Sequence, residues 1–86
     1  MKTFKLLPID GHKTLPNHHV NEYTTNDGEH YSDLISYTTR VAAYNHTTNE
    51  ISIYCCPSNT TARHINAFLA FYGFDTMKKS EILKQI

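Results

Sequence analysis

Between Ser58 and Phe74 the stretch SNTTARHINAFLAFYGF places apolar residues at helical spacing. Ala62, Ile65, Phe68, Leu69 and Tyr72 share one stripe, as expected of a helix that packs by one side. Ser58 or Asn59 carries the short side-chain oxygen that accepts from the free N–H groups of a first turn. Gly73 supplies the stop, because glycine enters the left-handed conformation without a Cβ clash. The spacing predicts a helix from about Asn59 to Tyr72. A second, short helix is expected over Met77 to Gln85, capped by Thr76, with Ile82, Leu83 and Ile86 as its apolar side.

Upstream the period changes to two. Phe4 to Ile9 reads as a first strand, closed by Pro8 and the turn pair Asp10-Gly11. HKTLPNHH is polar and broken by Pro16, which reads as an exposed loop. His19 to Thr24 reads as a second, edge-like strand, followed by a turn at Asn26-Asp27-Gly28. One long extended region is expected from Glu29 to Tyr44. Its odd positions Ile35, Tyr37, Val41 and Ala43 are the candidate buried set, against Ser36, Thr38 and Arg40; Leu34 and Tyr44 run against that parity. Asn45 to Asn49 forms a polar hairpin loop. Ile51, Ile53 and Cys55 then alternate inward against Ser52, Tyr54 and Cys56, until Pro57 ends the ladder. Strands first and helices last point to an α+β fold. The expectation is a single domain over residues 1–86, with a small antiparallel sheet of three to four strands and two C-terminal helices on one face.

Composition narrows the function classes more than it selects one. The chain has 86 residues, 40% of them hydrophobic, with six Tyr, four Phe and no Trp. That suffices for one small core with a thin stability margin. Formal net charge is zero, so neither the basic excess of a phosphate-contacting protein nor the acidic excess of a DNA mimic is present overall. The distribution is bipolar. From Asp10 to Asp33 the acids Asp10, Glu22, Asp27, Glu29 and Asp33 face Lys13 alone, whereas from Ile51 onward Arg63, Lys78, Lys79 and Lys84 outnumber Asp75 and Glu81. The apolar run FKLLPI is short and broken by Lys5, unlike a secretion leader, and no run reaches membrane-spanning length. Cys55 and Cys56 are adjacent and poorly placed to bridge each other. Two free thiols and a cytoplasmic setting are expected, with no membrane contact.

The blocks SYTTRVAAYN, TNEISIY and SNTTARHINAFLAFYGF with TMKKSEI, and the opening FKLLPIDG, resemble short proteins of bacteriophages and Gram-positive gut bacteria that carry a domain of unknown function. The marker is a helix of the form TTxHIN..L...GF. The resemblance covers about residues 3 to 11 and 34 to 82, but not the intervening HKTLPNHHVNEYTTNDGEHYSD. It implies a shared fold and a phage or mobile-element setting, and it assigns no activity and no catalytic residue.

Six histidines, His12, His18, His19, His30, His46 and His64, are many for this length. None of them stands at metal-ligand spacing, and only His18-His19 are close. Scattered surface histidines and no metal site or cofactor are therefore expected. Cys55 is expected as a small core residue, not as a nucleophile. Arg63 and His64 near the helix start suggest an anion-docking point, with a structural role for His64 or Asn66 as the plainer account. Tyr44 and Tyr54 share the exposed parity of the expected hairpin. With Arg40 they would form a flat aromatic-basic patch suited to a protein interface.

The expected function is that of a small binding protein without catalysis. It would inhibit a host protein, a defence enzyme such as a CRISPR effector among the targets, through Arg40, Tyr44, Tyr54, Arg63 and His64. Homodimerisation through the exposed tyrosines is a further expectation. The alternatives are a nucleic-acid-binding accessory using Arg63, Lys78, Lys79 and Lys84, and a metal-dependent hydrolase using the histidines.

Overall fold

Five strands and two helices follow one another along the chain in the computed structural model, which describes residues 1–9 and 14–86. They are β1 (Lys2–Phe4), β2 (His18–Thr24), β3 (His30–Ser36), β4 (Thr39–Asn45), β5 (Glu50–Ile53), α1 (Asn59–Phe71) and α2 (Lys79–Leu83). The strands form one antiparallel meander in the order β1-β2-β3-β4-β5. The class is the expected α+β, with five strands where three to four were expected. The Asp10-Gly11 turn, His12 and Lys13 lie outside the described residues.

The extra strand comes from a turn inside the expected long extended region. Ser36 and Thr39 pair across it, and Tyr37 sits at φ 59° with its N–H bonded to the Asn17 carbonyl at 2.6 Å. A tyrosine rarely takes this left-handed conformation, and no Gly, Asn or Asp marks the site. The neighbouring hairpins do follow their local signals. Gly28, at φ 86°, closes the β2–β3 turn against the Thr25 carbonyl. Asn45 Oδ1 accepts from Thr47 and Thr48 N–H to build the β4–β5 loop.

The registers give the sheet two unlike faces. Phe4, Val20, Leu34, Ala42 and Ile53 line up on the inner face, with Glu22, Ser32, Tyr44 and Ile51 in the next row. The inward parity of β3 is therefore the even one, opposite to expectation: Leu34 is buried, and Tyr37 is exposed. A bulge shifts the β4 parity. Ile35 pairs with Arg40 but Leu34 with Ala42, so the intervening Val41 has no partner, and both Val41 and Ala42 are buried. In the β5 region Cys56, rather than Cys55, is the buried thiol, because the strand ends at Ile53 and alternation stops there.

The first described segment also differs from expectation. Strand pairing ends at Phe4, and Leu6 turns into the core. β2 begins at His18 and is an interior strand, between β1 and β3. In the supposed exposed loop, Leu15 and His18 are buried.

α1 covers the inner face. Ile65, Phe68 and Leu69 join Val20, Leu34, Val41 and Ala42 in one apolar cluster. The Ser58 side chain caps the helix by accepting from Thr61 N–H at 3.1 Å. The last turn closes with Gly73 N–H on the Ala70 carbonyl and Phe74 N–H on the Leu69 carbonyl, the paired bonds of a Schellman ending. Gly73 is at φ 83° with open space around it. Gly73→Ala therefore meets no clash and is expected to cost about 1–2 kcal/mol through backbone strain alone, measurable by urea denaturation. α2 is shorter than expected and begins after Lys78, with no side-chain cap from Thr76. Asn66 on α1 anchors its approach, donating to the Met77 carbonyl at 2.9 Å and accepting from Met77 N–H at 2.8 Å. Of its expected apolar side only Ile82 is buried; Leu83 and Ile86 are exposed. No helix among the described residues is long and apolar enough to cross a membrane.

Candidate functional site

Three groups of side chains carry the chemistry of this surface and core: a polar cluster at one end of the inner face, a buried histidine pair, and the outer face of the sheet.

The inner-face cluster forms because Tyr31 pairs with Asn45, which brings His30 and His46 side by side at the open end of β3 and β4. Their rings stack at 4.2 Å with 14° between planes. Glu22 comes from β2, where its partner is Ser32. Its Oε1 lies 3.0 Å from His30 Nε2. Ser32 Oγ sits 2.7 Å from His46 Nε2 and accepts from the Tyr72 hydroxyl at 2.7 Å. Tyr44 stacks on Tyr72 at 4.4 Å and meets the His46 ring edge-on at 4.6 Å. Burial, with the adjacent His30, pulls His46 below the ordinary imidazole pKa.

His18 and His64 are buried and stacked at 5.0 Å. His18 Nε2 accepts from Leu6 N–H at 2.8 Å. His64 Nε2 donates to the Pro16 carbonyl at 2.8 Å, so its Nδ1 accepts from the Ser36 hydroxyl, also at 2.8 Å. Ser36 is bonded in turn to Thr61 at 3.0 Å. This network ties the segment before β2, the end of β3 and α1 together. Burial lowers the pKa of both rings, and every ring nitrogen engaged here is used in its neutral form.

The outer face carries His19, Tyr23, Tyr31, Asp33, Ile35, Arg40, Ala43, Asn45, Glu50, Ser52 and Tyr54. Arg40 lies 4.8 Å from the Tyr54 ring centroid and pairs with Asp33 at 3.1 Å. Tyr23 and Tyr31 stack at 6.0 Å. The Tyr31 hydroxyl donates to Glu29 at 2.6 Å. A cleft of about 220 Å³ opens between Tyr31, Tyr54, Asn45 and Glu50.

The expected partner-binding residues are thus divided between three places. Arg40 and Tyr54 do share the outer face. Tyr44 does not: it is buried on the inner face, hydrogen-bonded to Asn49. The bulge at Val41 reverses its parity relative to the assumed alternation. His64 is fully buried and cannot meet an anion at the helix start; the structural role holds for it, through Ser36 and Pro16. Arg63 and Lys79 are half-buried, and Lys78 and Lys84 exposed, on or beside the helices. The picture of scattered surface histidines is corrected as well, since four of the six form two stacked pairs. The Glu22–His30–His46 grouping was missed because the β3–β4 turn carries no sequence mark. With that turn located, His30 and His46 fall opposite each other by simple counting. The Cys56 thiol is buried, which pushes its pKa up and away from the nucleophilic thiolate.

Among the described residues, a sheet with α1 packed on one face and aromatic and polar groups, without a packed helix, on the other defines a small α+β module. The chain belongs to the family of unknown function DUF8033, whose model spans residues 5–84. No curated protein and no solved structure matches it.

Proposed function

We propose that the chain is a binding protein that works without catalysis and recognises a basic patch on another protein through its outer sheet face. Among the described residues, α1 packs on the inner face and α2 adds Ile82 to the same core, which leaves the outer face without a helix against it. What supports the reading is the cleft beside Tyr54. Tyr31 and Tyr54 line it together with Asn45, Ser52 and Glu50. A Lys or Arg side chain fits such a place: its alkyl stem packs on the rings, its charge meets the aromatic faces, and Glu50 supplies the counter-charge. The face's cation, Arg40, is already paired with Asp33, while Glu50 and Asp33 make the surface net acidic. A polyanion gains little there, so the protein reading is preferred to nucleic acid. In the phage setting that the resemblance implies, the target is a host cytoplasmic protein, a defence enzyme such as a CRISPR effector among the candidates.

The test is binding of short labelled peptides of basic, neutral and acidic composition, with a single-stranded oligonucleotide alongside. Basic peptides are expected to bind best. Tyr54→Ala and Glu50→Gln are each expected to weaken them at least about tenfold, as for an interface anchor. Equal binding of acidic and basic peptides, or unchanged affinity in both variants, would sink the reading.

A further inference from the structure

We propose that Glu22, His30 and His46 form a binding site for a divalent transition-metal ion of the zinc type. One potential donor atom from each residue lies within 4.8 Å of the other two. In a tetrahedral zinc site with bonds of about 2.0–2.1 Å, neighbouring donors stand roughly 3.3 Å apart. The Glu22 Oε1 to His30 Nε2 separation of 3.0 Å is already close to that value. Two imidazoles and one carboxylate are a donor set that suits zinc and leaves at least one coordination position for water or a ligand.

The scaffold argues for the site independently of the donors. Glu22 lies in β2, His30 in β3 and His46 directly after β4, three adjacent strands whose pairing, with the His46 N–H on the His30 carbonyl at 2.8 Å, fixes their spacing. Cross-strand positions hold Cβ atoms about 5 Å apart, within reach of one ion for two imidazoles. A His46 that ligates through Nδ1 keeps Ser32, itself bonded to Tyr72, on Nε2, the kind of outer partner that orients a metal-ligating histidine. The Tyr44 and Tyr72 rings wall one side of His46. Glu22 and His30 remain partly open, with side-chain exposures of 24% and 41%, so an ion has a way in. Without metal, His30 and Glu22 satisfy each other. Binding replaces that contact and turns one of the stacked rings about χ2, a soft torsion for histidine.

A metal here does not depend on the proposed protein interface, which uses the opposite face of the sheet. Loss of peptide binding in Tyr54→Ala leaves the metal site untouched, and loss of metal leaves the Tyr54 cleft in place, so the two readings fail separately.

The experiment is calorimetric titration of the full chain with zinc chloride, and with cobalt chloride followed by absorbance and by NMR of the imidazole protons. One ion per chain is expected to bind saturably. Paramagnetic effects of cobalt should centre on His30 and His46 in the unaltered protein, which requires no variant to fold. His46→Ala and His30→Ala should each weaken zinc at least about tenfold, Glu22→Gln should weaken it too, and His19→Ala, on the outer face, should not. Added zinc should raise the melting temperature of the wild type but not of His46→Ala. Absence of saturable binding overturns the proposal. So does a cobalt signature centred on other histidines, or zinc affinity unchanged in all three ligand variants.

Discussion

Lowering the pH from 7.5 to 5.5 is expected to destabilise this fold, with a slope that approaches about 1.4 kcal/mol per pH unit for each histidine the fold keeps neutral. The main cause is the buried His18–His64 pair, and His46, lowered by burial and by His30, adds to it. Burial lowers both pKa values from the ordinary 6.5, helped at His18 by the neighbouring His64 and at His64 by Arg63. The unfolded chain, with ordinary histidines, therefore binds more protons than the folded one below about pH 6.5. Stability is fully present above that point and falls as the pH drops towards the folded values. The groups facing the pair sharpen the effect or oppose it. Lys5 also disfavours a charge on His18, and the Leu15 and Pro16 carbonyls favour one; Pro16 favours a charge on His64 as well. Ser36, Thr61 and the Tyr37 ring are neutral neighbours on the other elements. The window lies above ordinary carboxylate titration, so Asp and Glu contribute little to it. Urea midpoints at pH 7.5, 6.5 and 5.5 measure the slope. His64→Gln keeps a donor for Pro16 but cannot take up the proton, and its slope should be clearly shallower than that of the wild type. A flat wild-type profile would show that the pair is not held neutral.

Phe68→Ala should cost about 3–5 kcal/mol, from lost transfer energy and the cavity left behind. Phe68 is fully buried at the centre of the apolar cluster, with its ring 5.2 Å from that of Tyr72. A chain of this size is expected to have only about 4–13 kcal/mol of total stability, so the variant should be partly unfolded at 37 °C or melt far below the wild type. Leu83→Ala, at a position 47% exposed, should change stability by less than about 0.5 kcal/mol. Melting curves followed by circular dichroism separate the two. Similar losses in both would mean that α2 packs by a different side from the one described.

The α1 helix could be read from its residues because every signal needed is local. Ser58, the apolar stripe and Gly73 lie within one 17-residue window, and each acts through neighbours in sequence. The Asn26-Asp27-Gly28 turn and the Asn45–Asn49 loop were equally plain, since Asn, Asp and Gly take the required conformations cheaply. The Ser36–Thr39 turn has no such residue. Tyr37 is held at positive φ by its place between two paired strands and by the bond to Asn17, neither of which a local pattern contains. The Val41 bulge is similar: it exists in the register between β3 and β4 and has no mark in the spacing of apolar residues. Together these two features reversed the expected faces of Leu34, Tyr37 and Tyr44.

The amino-acid order alone settled the class of fold, the main helix with its start and stop, and two of the hairpin turns, because short-range backbone preferences decide them. Strand register, the inward turn of Tyr44, the neutral histidine pair and the meeting of Glu22, His30 and His46 were decided only by the assembled sheet. Each of those depends on contacts between residues far apart in the chain, whose free energy comes from burial and pairing that no local segment experiences by itself.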